Sequence, residues 1–253
     1  MENDKRPRFL TDIVLAFCLL TRLPMPHLPS EAFKQGARAI WAYALVGIFV
    51  GTVLLGIGTA SLALELPSSL AAGLMIAAGF LLTGGLHEDG LADTADGVWG
   101  GQTKEQRLEI MKDSRIGTYG TLSLILIIGL RWVAFAALLP AAPTAILVAA
   151  TVSRTSMTIL MISLPHARSD GLSRSLGSAT RSSVVLGWFI ALLCAGLCLG
   201  VTGWITVLPA CLSAAVLHLL ARTKLGGQSG DILGATQQIS EALILITLVA
   251  LLA

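Results

Sequence analysis

The chain has 253 residues, of which 55% are hydrophobic and only 13% charged, and its mean hydropathy is +0.80. Soluble domains carry about a quarter charged residues, so this composition excludes an ordinary water-soluble core and predicts an all-α polytopic membrane protein. The net charge of +2 is small, and no basic face interleaved with aromatics points to nucleic acid.

In chain order, residues 1–8 are charged and Phe9–Leu20 is apolar. About twelve residues cannot cross a hydrocarbon core that needs roughly twenty. Lys5, Arg6 and Arg8 precede the segment as in a signal peptide, but TRLPMP follows it without a small-residue cleavage site. It predicts a re-entrant or interfacial N-terminal helix stopped by Pro24 and Pro26. Seven transmembrane helices are then expected, over 40–64, 69–86, 118–139, 144–164, 184–200, 204–221 and a short last one over 239–253. Residues 1–253 read as a single integral membrane domain without an internal repeat. Cys18, Cys194, Cys198 and Cys211 fall in apolar segments without a CxxC, which predicts packing rather than a disulfide or zinc framework.

The connections near 65–68, 140–143 and 201–203 contain no Lys or Arg. The alternate ones, 87–117, 165–183 and 222–238, together with the N-terminal region, hold every Lys and Arg except Arg131 and Arg154. The positive-inside rule therefore predicts a cytoplasmic N-terminus, cytoplasmic charged loops and a C-terminus outside.

The second of these spans leads into the polar stretch GGLHEDGLADTADGVWGG, followed by RLEIMKDSRIGTYG. On a helix Asp89, Asp93 and Asp96 stand at i, i+4 and i+7, on one face, where like charges repel. A divalent cation turns that repulsion into binding, and magnesium takes carboxylate oxygens that it shares with substrate phosphates. A solvated acidic face is the bland alternative; the scarcity of charge elsewhere favours a metal site made of Glu88, Asp89, Asp93, Asp96 and Asp113. Gly90, Gly97, Gly100 and Gly101 allow close approach of backbone or ligand. Thr103-x-x-Gln106 reads as a capping box opening an amphipathic cytoplasmic helix over 104–114, which returns Asp113 to the membrane.

Arg154 lies about ten residues into its span, roughly 15 Å deep, where an ionisable group is a functional candidate. Arg131 is nearer the outer side and is expected to snorkel. Arg22, Arg115 and Lys224 are candidate phosphate contacts, with Lys112 and Arg222 as further basic groups. Asp231 stands in the glycine-rich stretch Arg222–Gln238, read as a loop, and could touch a ribose hydroxyl, a base or the metal. His87 reads either as a proton-transfer or ligating group or as a structural hydrogen bonder.

These motifs, with TRLPMP near the start and LGGQSGDILGA near the end, resemble the adenosylcobinamide-GDP ribazoletransferase family, also called cobalamin(-5′-phosphate) synthases. The likeness extends over nearly the whole chain, and departs from the family pattern at Glu88, where an apolar residue is usual. It implies a magnesium-dependent phosphotransferase of the inner membrane, in the last stage of cobalamin nucleotide-loop assembly. The substrates implied are adenosylcobinamide-GDP and α-ribazole or its 5′-phosphate; the product besides the corrinoid is GMP. Asp93 or Asp96 would be the catalytic base, with Arg22, Arg115, Arg154, Lys224 and Asp231 on the substrates. A homo-oligomer, or association with other cobalamin-assembly enzymes, is compatible with this reading. Asp93-x-x-Asp96-Gly97 also has a fainter likeness to the CDP-alcohol phosphotransferases. A lipid-headgroup phosphotransferase and a corrinoid or cation transporter are the alternatives.

Overall fold

The computed structural model describes residues 7–33, 36–168, 177 and 179–253. Its long elements are all helices. They are α1 (Arg8–Leu20), α2 (Tyr43–Ala63), α3 (Ser68–Thr83), α4 (Leu86–Gly100) and α5 (Lys104–Ile110). After these come α6 (Thr118–Ala141), α7 (Thr144–Ser163), α8 (Arg181–Leu199), α9 (Val207–Leu220) and α10 (Gly230–Leu252). Among the described residues six helical stretches are long and apolar enough to cross a membrane, or seven if the bent pair α3–α4 counts as one span.

α7 is the centre of the bundle, with 83% of its spanning window buried, against 22% for the peripheral α8. Its small and hydroxyl residues explain this position. Ser153, Thr155, Ser156 and Thr158 bond back to carbonyls three or four residues earlier, so no hydroxyl is stranded in an apolar surround. Neighbours can therefore approach very closely: a Cβ on Gly47 of α2 would lie 2.5 Å from the Thr151 Cα. Connections alternate between the ends of the bundle. The short ones without Lys or Arg lie at one end and the ones rich in charge at the other, which gathers the polar segments on one side.

The break between α3 and α4 is made by two glycines. Gly84 and Gly85 have φ of 69° and 68°, a left-handed conformation that L side chains rarely adopt. Two such residues in succession turn the chain by 89°. The span expected to run to residue 86 therefore ends at Thr83, and α4 starts a new direction. The TRLPMP segment docks on this corner, with the Arg22 N–H donating to the Leu82 carbonyl at 2.8 Å.

Three expectations are corrected. The last span is not short: α10 runs from Gly230 for 23 residues, so most of the stretch read as a glycine-rich loop is helix. Its Gly234, Gln237, Gln238 and Ser240 face other helices, and the buried side chains of Gln237, Gln238 and Ser240 are hydrogen-bonded there. The helix expected over 104–114 is only Lys104–Ile110, opened by the predicted Thr103–Gln106 capping box and closed by packing of Met111 against Gly97. Arg131 does not snorkel; it is buried, because partners on α4 and α10 meet it inside the bundle.

α1 lies against the helical turn Gly36–Ala42. Asp12 is the anchor, paired with Arg38 at 2.9 Å and accepting from the Trp41 indole at 3.2 Å. The predicted cytoplasmic loop 165–183 is described only for 165–168, 177 and 179–183; the remainder lies outside the described residues.

Candidate active site

α4 presents its acids in two directions. Asp89 is exposed and Asp93 half-buried, while Glu88 points into the bundle. The charges that act on Asp93 are those of Asp89, Asp231, Asp96 and Arg168. Asp231 comes from the first turn of α10, where the positive end of the helix dipole favours a carboxylate. Ser229 caps that helix, its hydroxyl accepting from the Ile232 N–H at 3.4 Å.

Glycine makes the meeting of α4 and α10 close. A Cβ on Gly90 would lie 2.8 Å from the Asp231 carbonyl oxygen, and one on Gly234 3.2 Å from the His87 Cα. Any side chain at residue 90 would separate Asp89 and Asp93 from Asp231.

A backbone stitch holds the neighbouring loop. The Gln228 N–H donates to the Pro165 carbonyl and the Ala167 N–H to the Gln228 carbonyl, both at 2.8 Å. Gly227 permits this, since its Cβ would collide with the Pro165 carbonyl at 2.3 Å. The stitch places Arg168 at the acids: it is 3.5 Å from the Asp231 carboxylate and donates to the Leu108 carbonyl at 3.1 Å. Sequence reasoning missed Arg168. Nothing in the sequence separates it from Arg174 and Arg181 of the same connection; only the pairing with residue 228 singles it out.

The other candidates are distributed elsewhere. Asp96 turns to α6, its two carboxylate oxygens accepting from the Gly117 and Gly120 N–H groups at 2.7 and 2.8 Å. It thereby supplies the cap that Gly117, having no side chain, cannot. Asp113 is exposed and paired with Arg115 at 2.6 Å, which holds its carboxyl at about 2 through charged hydrogen bonds. That pair borders a surface cleft of about 440 Å³ with Asp96, Ile110 and Tyr119. Lys224 and Arg222 are exposed beyond α9, and the Lys224 carbonyl lies 3.5 Å from an Arg107 nitrogen of α5. Arg22 lies over Gly84 at the α3–α4 corner.

Glu88 and Arg154 belong to a second polar group, inside the bundle. Arg131 donates to the Glu88 carboxylate and the Gln238 amide oxygen, both at 2.9 Å, and lies 3.5 Å from the Glu241 carboxylate. The charges that act on Arg154 are Glu241, Arg131 and Glu88, and its guanidinium donates to its own helix at the Ala150 carbonyl. His87 is buried beside this group, its Nε2 without a hydrogen-bond partner among the described residues.

Among the described residues no three His, Cys, Asp or Glu side chains converge as a finished metal cage. Asp89, Asp93 and Asp231 are hard oxygen donors that act on one another at this junction without making such a cage. That donor set fits magnesium, which keeps waters and is commonly held by one or two carboxylates together with substrate phosphates.

A model of the cobalamin-5-phosphate synthase family matches residues 12–249. The chain belongs to that family. It is 42% identical over 244 residues to an adenosylcobinamide-GDP ribazoletransferase of Bradyrhizobium diazoefficiens, covering 95% of this chain and 94% of the relative. A protein of the same name from Vibrio parahaemolyticus is 40% identical over 246 residues, covering 94% and 91%. No solved structure matches the chain. Family membership accords with the resemblance carried by the acidic stretch, and neither the lipid phosphotransferase nor the transporter reading is favoured by these relatives.

Proposed function

We propose that this protein transfers the adenosylcobinamide-phosphate moiety of adenosylcobinamide-GDP to α-ribazole or α-ribazole 5′-phosphate, releasing GMP. The observation that carries this reading is the gathering of Asp89, Asp93 and Asp231 at the junction of α4 and α10, in a chain of this family. Asp89, Asp93 and Asp231 would hold magnesium, which when bound neutralises charge on a diphosphate.

The protein's own groups divide the remaining tasks. Asp93, half-buried and next to the exposed Asp89, is the base that takes the proton of the attacking ribosyl hydroxyl. The hydroxyl oxygen bonds to the phosphorus on the corrinoid side, and the bond from that phosphorus to the bridging oxygen breaks. GMP leaves with the electron pair. Arg168 offsets charge on the transferring group, since its guanidinium is already held at the acids by the Leu108 carbonyl. Asp96 keeps α4 on the N-terminus of α6. Lys224, Arg222 and Arg115 supply positive charge to the anionic substrates around the rim.

We place the charged end of the bundle on the cytoplasmic side of the inner membrane, a reading that the loop charges support. Purified protein given adenosylcobinamide-GDP and each acceptor should release GMP, and EDTA should abolish the release. Release that persists with EDTA removes the metal from this reading, and its absence with either acceptor removes the reaction. A reporter active only outside the cytoplasm should be active after Pro67 and Ala142 and silent after Lys224.

A further inference from the structure

α4 carries two of the three gathered acids, yet its contact with α10 is made by Gly90 and Gly234. Such a surface permits close approach but does not resist rotation or sliding of α4. Two charged side chains of α4 do resist it, and both end on α6. Asp96 accepts from the Gly117 and Gly120 N–H groups at one end. Eight residues earlier, Glu88 accepts from Arg131 and from the Gln238 amide, each at 2.9 Å. Arg131 then reaches Glu241 of α10, which Gln237 also contacts, and Gln237 donates to Ser153 of α7 at 3.1 Å. One buried network thus joins α4, α6, α7 and α10, and Asp89 and Asp93 lie between its two attachments to α6.

We propose that Glu88, Arg131 and Glu241 are positioning residues: a charge clamp inside the bundle that fixes α4 against α6 and α10, and so sets how Asp89 and Asp93 face Asp231. Stability alone does not require charge here, because a buried ion pair can often be replaced by apolar side chains at no net loss. What apolar side chains do not supply is direction. The Arg131 fork meets Glu88 and Gln238 from one nitrogen and Glu241 from the other, which defines the position of α4 along and about its axis. The effect on catalysis rests on the proposed phosphoryl transfer; the effect on helix placement does not.

The test separates folding from positioning. In the triple variant Glu88→Leu/Arg131→Met/Gln238→Leu the two charges removed cancel and Glu241 stays with Arg154, so no unpaired charge remains in this group, and its thermal midpoint should stay near that of the unsubstituted protein. Turnover at saturating substrate should nevertheless fall about ten- to a hundred-fold, the scale set by small misplacement of reacting groups, with KM within about twofold. In a background with the four cysteines replaced by alanine, spin labels at exposed Trp99 of α4 and exposed Ile246 of α10 should show a shifted or broadened distance distribution in the triple variant. If the triple variant does not fold, Glu88→Gln, which keeps the volume, decides: a lower kcat at unchanged KM supports the clamp. A folded triple variant, or Glu88→Gln, with unchanged kcat overturns the catalytic role, and an unchanged distance distribution overturns the clamp. If the unsubstituted protein releases no GMP, the reaction assignment is at fault, and the spin-label distances alone then judge the clamp.

Discussion

Glu88 and Asp89 are adjacent residues with the same functional group, and they occupy opposite environments. Glu88 is buried and accepts hydrogen bonds from Arg131 and Gln238; Asp89 is exposed, and both it and Asp231 act on the charge of Asp93. Inside the bundle, charge is balanced by two acids and two bases, Glu88 and Glu241 with Arg131 and Arg154. At the junction of α4 and α10 acids outnumber bases, and Arg168 is the base that acts on both Asp93 and Asp231. Balanced charge locks helices together, whereas unbalanced carboxylates, open to solution, remain able to take a cation or a proton. The same residue type is thus structural or reactive according to whether its partner is already built into the fold.

That contrast can be broken from either side. The largest effect is expected from Arg131→Met alone, which leaves Glu88 and Glu241 buried without their cation. Stability should fall by about 3–5 kcal/mol, measurable by unfolding in detergent. Next comes Asp93→Asn, which should keep the melting temperature and lower GMP release by about a hundred-fold or more, the scale of a lost general base. Unchanged release in that variant removes Asp93 from the site. Gly90→Ala should weaken both regions at once. Its Cβ would be forced against the Asp231 carbonyl, costing about 1–3 kcal/mol, with a parallel loss of turnover.

The smallest effect belongs to the exposed Asp113–Arg115 pair. Its carboxyl is held at about 2 by Arg115, below its unfolded value. Any stabilisation is therefore present above the ordinary carboxylate range and is lost only as pH falls towards 2. Asp113→Asn should leave the stability profile between pH 5 and pH 9 unchanged within measurement, as for most surface pairs. A changed slope in that window would show that Asp113 interacts with more than Arg115.

Much of this arrangement was legible in the residues. Asp89 and Asp93 stand out because charge is rare in the chain and their spacing is helical. The capping box at Thr103 announces α5 by purely local chemistry. Asp231 and Arg168 were not legible in the same way. A glycine-rich stretch holding Asp231 reads as a loop because glycine weakens an isolated helix, whereas here burial against α4 stabilises the helix and requires the glycines. Arg131 reads as a snorkelling residue because its partners, Glu88 and Gln238, are 43 and 107 positions away in sequence.

Hydropathy and local spacing are properties of neighbouring residues, so a helical membrane protein with alternating charged connections, and a concentration of acids in residues 88–113, can be read from the chain alone. Only the tertiary structure decided which of those acids face one another. It turned Glu88 and Asp96 to α6, left Asp113 with Arg115, and brought Asp231 to Asp89 and Asp93. Those outcomes depend on contacts between helices far apart in the chain, made possible by small residues at their crossings.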